Sequence, residues 1–244
     1  MSELAYAGTE LEVFANATNW KSYVRERIHA YLSGKVLEVG AGIGAATQLL
    51  YDGTQQRWVC LEPDRTLAQR IPLATLKNPE RCEVRVGTLA DLDTSELFRC
   101  IVYMDVLEHI KDDAGELMRA CQHLEGGGYL IVLSPALEAL YTEFDAAIGH
   151  HRRYTKASLR AVVPRELQEE TCVYLDCAGA LASLANRLLL HSATPTRRQI
   201  LFWDRFLVPI SRFTDGLTGN STGRSILAVW KKPLSLSGQA ESPD

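Results

Sequence analysis

Up to about residue 135, hydrophobic and polar positions alternate between two rhythms. Short runs at 35–39, 57–61, 81–86, 100–104 and 127–133 read as strands, the first of them short and apolar. Between them, apolar residues recur three and four apart. Trp20, Tyr23, Val24 and Ile28 mark one helical face within 19–32, and Leu117 and Cys121 mark another within 112–124. Residues 43–50 and 64–70 read as shorter helices. Such alternation predicts a parallel sheet with crossover helices on both faces. Pro135 is expected to break the chain. Then come a strand at 167–175, a helix at 178–190, an irregular aromatic and basic stretch at 192–224, and a last strand at 226–230. Residues 178–224 are expected to form a cap-like, helical insertion. Residues 1–233 are expected to form a single domain, and the Ser/Gly/Pro-rich end, 234–244, a disordered tail.

The first strand runs into Val39-Gly40-Ala41-Gly42-Ile43-Gly44, a turn that can pass close to a ligand because its glycines carry no Cβ. The helix expected behind it aims free N–H groups and its positive end at the same place, so a carboxylate or pyrophosphate is expected there. Glu62 closes the second strand in Val59-Cys60-Leu61-Glu62-Pro63-Asp64, about 20 residues on, where a carboxylate accepts from ribose hydroxyls. Together these features predict an adenosine-containing cofactor rather than a plain tight turn with a surface acid. Gly40-Ala41-Gly42-Ile43-Gly44-Ala45 also satisfies the dinucleotide fingerprint, so the turn alone does not separate S-adenosylmethionine (SAM) from NAD.

The fourth strand and its exit read Ile101-Val102-Tyr103-Met104-Asp105-Val106-Leu107-Glu108-His109-Ile110. This segment, the glycine turn and the Gly126-Gly127-Gly128-led fifth strand together resemble the class I SAM-dependent methyltransferases over about residues 18–175. Gly149-His150-His151-Arg152-Arg153-Tyr154-Thr155 is similar to a bacterial small-molecule subgroup with GHxRRYT after strand five. The resemblance implies a Rossmann-like α/β fold with a seven-stranded sheet, the last strand antiparallel, and an N-terminal helical segment. It also implies SAM across the carboxyl ends of strands one, two and four. Gly40, Ala41 and Gly42 would line its methionine part, Glu62 beside Pro63 would hold the ribose, and Thr88 and Leu89 would border the adenine. Asp105 and Val106 would sit at the rim, and Tyr6, Trp20 or Tyr23 would close the site. Two departures stand out. Many members carry an acid where Thr88 stands, leaving Asp91 or a backbone carbonyl for the adenine amino group. Arg99-Cys100 replaces an aromatic-Asp pair before strand four.

Methyl transfer asks mainly for proximity and alignment, and for a base only if the acceptor must lose a proton. His109, just past strand four, is one candidate base, or it orders the loop beside the cofactor. His150 and His151 are others. Tyr141, Asp145, Arg152, Arg153 and Tyr154 belong to a segment able to fold over the cleft. Paired arginines suit an anionic acceptor, or else anchor the loop to local acids. Asp105 would contact ligand or cap the following turn. His29, His123 and His191 read as structural or surface residues, and no ligand spacing predicts a metal.

A net charge of −4 speaks against a nucleic-acid binder, and no apolar run of membrane-spanning length or signal peptide stands out. Six cysteines without a C-x-x-C pair read as reduced apolar residues in a cytoplasmic enzyme. The stretch from Arg187 to Thr214, which mixes Leu188 to Leu190, Ile200, Leu201, Phe202, Trp203 and Phe206 with Arg187, Arg197, Arg198, Arg205 and Arg212, reads either as a cap, a dimer contact included, or as an interfacial segment that rests on membrane or receives a lipid-linked acceptor. The expected reaction is methylation of O or N on a small molecule, such as a natural-product or saccharide precursor, free or lipid-linked, by a monomer or homodimer. The alternatives are an NAD(P)-dependent oxidoreductase, for which no Tyr-x-x-x-Lys is present, and a non-catalytic SAM-binding partner protein.

Overall fold

In the computed structural model, residues 10–189 and 196–234 are described. Tyr6, His191 and the tail from 235 lie outside them. Helices α1 (Glu10–Ala15) and α2 (Thr18–Ile28) lead to β1 (Lys35–Val39), α3 (Thr47–Leu50), β2 (Arg57–Glu62), α4 (Arg65–Ala68) and β3 (Cys82–Val86). Then follow β4 (Phe98–Met104), α5 (Asp113–Gln122), β5 (Leu124–Pro135), α6 (Glu143–Ala147), α7 (Lys156–Val162) and β6 (Gln168–Leu175). Last come α8 (Cys177–Leu189), α9 (Arg197–Phe202), a π-helical turn (Trp203–Leu207), α10 (Val208–Leu217) and β7 (Ser225–Lys231).

All seven strands share one sheet in the order β3-β2-β1-β4-β5-β7-β6. The pairs from β3 to β5 are parallel, and β7 runs antiparallel between β5 and β6, with Leu130 opposite Trp230. The central strands β1, β2, β4 and β5 are mainly apolar and buried because helices cover both faces, whereas the edge strand β3 carries Glu83 and Arg85 and is only partly buried. Side-chain alternation then sorts each strand between two cores. Val36, Cys60, Val102, Ile131 and Val229 face α2 and the cap, whereas Leu37, Val59, Ile101, Leu130 and Ala228 face α5 and α7.

Two expectations are corrected and one is met. The helix expected from residue 43 begins only at Thr47, because Gly42 (φ +55°) and Gly44 (φ +76°) hold left-handed backbone that no α-helix admits. Pro135, opposite Ser225, is the last residue of β5, so the strand stops where the proline was expected to break the chain. The stretch read as irregular is helical from Arg197 to Leu217: Thr196 and Gln199 cap α9 reciprocally, and Pro209 sits in the first turn of α10, where a missing N–H costs least.

Three buried aspartates fasten this cap. Asp204 accepts from the backbone N–H groups of Asn19 and Trp20 (3.2 and 2.8 Å), capping α2 from outside. Asp176 accepts from Trp203 Nε1 (2.7 Å) and Ser211 Oγ (2.6 Å). Asp215 accepts from the N–H of Asp176 and the Tyr23 hydroxyl (2.7 and 3.0 Å).

Candidate active site

The carboxyl ends of β1, β2 and β4 surround a cavity of about 460 Å³. Its floor is the glycine turn. Gly40 holds φ +67° with its Cα against Val106, where a Cβ would lie 2.7 Å from a Val106 methyl. Glu62 braces this turn: Oε2 accepts the Gly42 N–H at 2.7 Å and Oε1 accepts the Asp64 N–H at 2.9 Å. Burial pushes the Glu62 carboxyl up, and those two N–H bonds pull it back. Each oxygen keeps a lone pair for a further donor. Pro63, Leu67, Thr88, Ala90, Val106 and Ile110 supply the remaining wall.

A second cavity of about 250 Å³ adjoins it, and Gly40, Gly42, Asp105 and His109 line both. Trp20, Trp203, Phe144, Glu108, His150, Arg153 and Arg224 line the far side. Asp105 stands at the junction with φ +56°; water reaches it through the cleft, yet enclosure by protein pushes its carboxyl up to about 6, against the pull of His150, Arg224 and Arg153. His109 packs edge-on to His150, ring centroids 4.5 Å apart, and burial lowers it to about 4, so it is neutral at pH 7. His150 Nδ1 bonds Asp145 Oδ1 at 3.0 Å, while Asp145 also takes Arg153 Nε and Nη2, both at 3.0 Å. These partners hold the Asp145 carboxyl well below its ordinary range despite burial.

The family described as methyltransferase domain matches residues 17–174. The chain belongs to that family. Among solved structures it is similar to a geranyl diphosphate methyltransferase in complex with SAM (12% identity, TM-score 0.62, covering 95% of this chain and 93% of that one). It is also similar to the N-methyltransferase NodS from Bradyrhizobium japonicum WM9 in complex with S-adenosyl-L-homocysteine (15%, 0.55, 89% and 88%). A third is a coclaurine N-methyltransferase bound to N-methylheliamine and S-adenosylhomocysteine (13%, 0.59, 88% and 72%). At these identities the likeness is one of fold. No curated protein sequence matches the chain.

Within this family's fold, several residues singled out in the sequence converge. Gly40, Gly42, Glu62, Pro63, Thr88, Asp105 and Val106 line the larger cavity, and Trp20, Ala41, Asp145, His150 and Arg153 line the smaller one. Others do not. Leu89 is buried in the core beneath α5, and the Asp91 carboxylate closes its own turn on Thr88 N and Oγ1 (2.8 and 2.9 Å). His151 is exposed, and its backbone N–H ties to the Glu108 carbonyl. Tyr154 is a core residue whose hydroxyl donates to Asp113 (2.7 Å). Tyr141 donates to the His150 carbonyl (2.6 Å), which shapes the loop and lies outside the cavity lining. Arg152 pairs with Asp113 and the Lys111 carbonyl. The two arginines read as an anion clamp are thus committed to local acids.

Sequence reading missed two site residues. Arg224 enters the small cavity from the strap before β7, stacked 4.9 Å from the Trp203 ring centroid. Among the described residues its guanidinium makes no hydrogen bond or ion pair. Burial lowers its pKa, and Asp176 and Asp105 raise it. Glu108 is fully buried and accepts from Ser134 Oγ at 2.8 Å. Arg224 carries no motif that could have flagged it, whereas Glu108 lay inside one that did.

Proposed function

We propose that this protein transfers a methyl group from SAM to an oxygen or nitrogen of a small, anionic acceptor. SAM supplies an activated methyl group on sulfonium sulfur. The residues at the glycine turn fit it: Glu62 offers lone pairs to ribose hydroxyls, Leu67, Val106 and Ile110 offer apolar walls to the base, and Gly40 and Gly42 leave room for the methionine part. The observation that carries the acceptor class is Arg224 in the adjoining cavity, whose guanidinium makes no hydrogen bond or ion pair among the described residues and suits a carboxylate or phosphate. Asp105, at the junction of the two cavities, stands where donor and acceptor meet. The protein's part is to align the two and to exclude water with Trp20, Trp203 and Phe144.

Natural-product or saccharide precursors, free or lipid-linked, form the acceptor class that this reading favours. A lipid-linked acceptor is supported by the cap, whose outer face exposes Phe202, Phe206, Ile210, Phe213 and Leu217 along one helical stripe. Among the described residues no helix is long and apolar enough to cross a membrane, so contact would be peripheral.

Calorimetry with SAM, S-adenosylhomocysteine and NADH tests the donor. Binding of the first two and not of NADH is expected; NADH binding without SAM binding overturns the reading in favour of an oxidoreductase. With an acceptor in hand, Arg224→Met should raise its KM about tenfold or more and leave SAM affinity unchanged. An unchanged KM removes the anion assignment.

A further inference from the structure

Glu108 and His109 leave β4, and His150 comes from the loop after α6, 41 positions further on. The fold brings them to one wall of the small cavity, where a carboxylate oxygen and one nitrogen from each ring lie within 4.8 Å of one another. Donors around a single ion stand roughly 3 Å apart, given metal–ligand bonds of about 2 Å, so a modest inward movement of the side chains closes the set.

Glu108 supplies the independent observation. It is fully buried, Oε2 is satisfied by Ser134, and Oε1 has no hydrogen-bond partner. Oε1 stands 3.8 Å from His150 Nε2, too far for a hydrogen bond. A buried carboxylate oxygen left so is costly unless something occupies the gap. The surroundings also orient the rings as metal sites do. Asp145 takes the Nδ1 side of His150, which leaves Nε2 as a lone-pair donor toward Glu108, and a hydrogen bond to the Gly149 backbone holds His109. Asp145 is itself pinned by Arg153 and Thr142.

We infer that Glu108, His109 and His150 bind one divalent transition-metal ion, with an open coordination position facing the acceptor. Two imidazoles and one carboxylate favour zinc, manganese, iron or cobalt over calcium and magnesium. The role of the ion rests on the methyl-transfer reading. A hydroxyl of the acceptor would occupy the open position; its O–H bond breaks more readily there, the proton passing to water and the electron pair staying on oxygen. The site thereby favours an oxygen acceptor over nitrogen. The sequence predicted no metal because its local spacing shows only an adjacent Glu-His pair, and the third ligand is brought by tertiary structure.

The test is a titration of the whole chain, free of any polyhistidine tag, with Co2+ followed by visible absorption, and with Zn2+ in competition. One equivalent of Co2+ with ligand-field bands is expected. Glu108→Gln, His109→Gln and His150→Gln should each weaken it about tenfold to a hundredfold, and Asp145→Asn should weaken it while sparing the ligand count. S-adenosylhomocysteine affinity and the melting temperature, read on the same samples, separate loss of the ion from loss of the fold. No Co2+ signal from protein that binds S-adenosylhomocysteine overturns the site. So does Co2+ binding that persists unchanged in folded His109→Gln and His150→Gln. Co2+ binding without S-adenosylhomocysteine binding leaves the site standing and overturns the donor assignment instead.

Discussion

Gly42 donates its backbone N–H to Glu62 Oε2 at 2.7 Å, so the turn after β1 is held by the carboxylate that ends β2. The sequence places Glu62 as a ribose acceptor. The structure adds that both oxygens first serve the backbone, one at Gly42 and one at Asp64. In the proposed reading, ribose and turn therefore share a single side chain.

Glu62→Gln is predicted to behave nearly as badly as Glu62→Ala. Two N–H donors need two acceptors, and an amide offers one oxygen and sets its NH2 against the other donor. Both variants should lose about 1–3 kcal/mol of S-adenosylhomocysteine binding and melt at lower temperature. Full affinity in the Gln variant, measured by calorimetry, would show that Glu62 braces nothing a ligand needs.

Gly40→Ala is predicted to cost stability and donor binding together. The residue sits at φ +67°, and its new Cβ would press on two Val106 methyls at 2.7 and 2.8 Å. Strain of this kind is worth about 1–3 kcal/mol. Adding Val106→Ala removes the methyls but not the backbone strain, so it should recover only part of the lost melting temperature. Full recovery would mean that the positive φ carries no cost.

The sheet was legible because parallel strands covered on both sides need short, mainly apolar runs, as Val36-Leu37 and Trp58-Val59-Cys60-Leu61 supply. The glycine turn was legible for a related reason: Gly40, Gly42 and Glu62 meet at one cavity through backbone geometry, which local sequence dictates. The adjoining cavity was not. Arg152 and Arg153 look like an anion clamp in sequence, but Asp113 and Asp145 claim them, and Arg224, which makes no hydrogen bond or ion pair among the described residues, comes from a strap about 70 residues away with no pattern of its own. Tyr154 likewise reads as a loop residue and is a core one, because its hydroxyl finds buried Asp113. Polar pairing across distant segments is decided by tertiary contacts, and spacing along the chain does not encode it.

Glu38 gives a pH prediction. It lies buried in β1, accepting from Thr47 Oγ1 (2.7 Å) and Trp58 Nε1 (2.9 Å). Burial pushes its carboxyl up to about 7 from an ordinary 4.5, although those two bonds favour the charged form. The folded state therefore prefers the proton. That contribution is fully present below about pH 4.5 and is lost as pH rises through about 7. Glu38→Gln keeps a neutral acceptor and does not titrate. Relative to it, the native protein should lose up to about 3 kcal/mol between pH 4.5 and 8, at about 1.4 kcal/mol per pH unit. Denaturant melts of both proteins across that range provide the check, and parallel profiles would show that Glu38 titrates normally.

The cap's apolar stripe makes the proposed peripheral membrane contact testable. Phe213 and Leu217 are 71% and 72% exposed, in line with Phe202, Phe206 and Ile210, while the only acids of the 196–217 segment, Asp204 and Asp215, are buried. What this segment shows to solvent is apolar and basic, with Arg197, Arg198 and Arg205 exposed beside the stripe. Anionic vesicles should bind the protein, and rising salt should weaken that binding by screening the arginines. Phe202→Ala, Phe206→Ala and Phe213→Ala combined should reduce it about a hundredfold, at roughly 1 kcal/mol for each partly inserted ring. Trp203 must stay, because it is buried and donates to Asp176, and its loss would loosen the cap itself. Flotation that does not distinguish the triple variant from the native protein would leave the stripe without a membrane role.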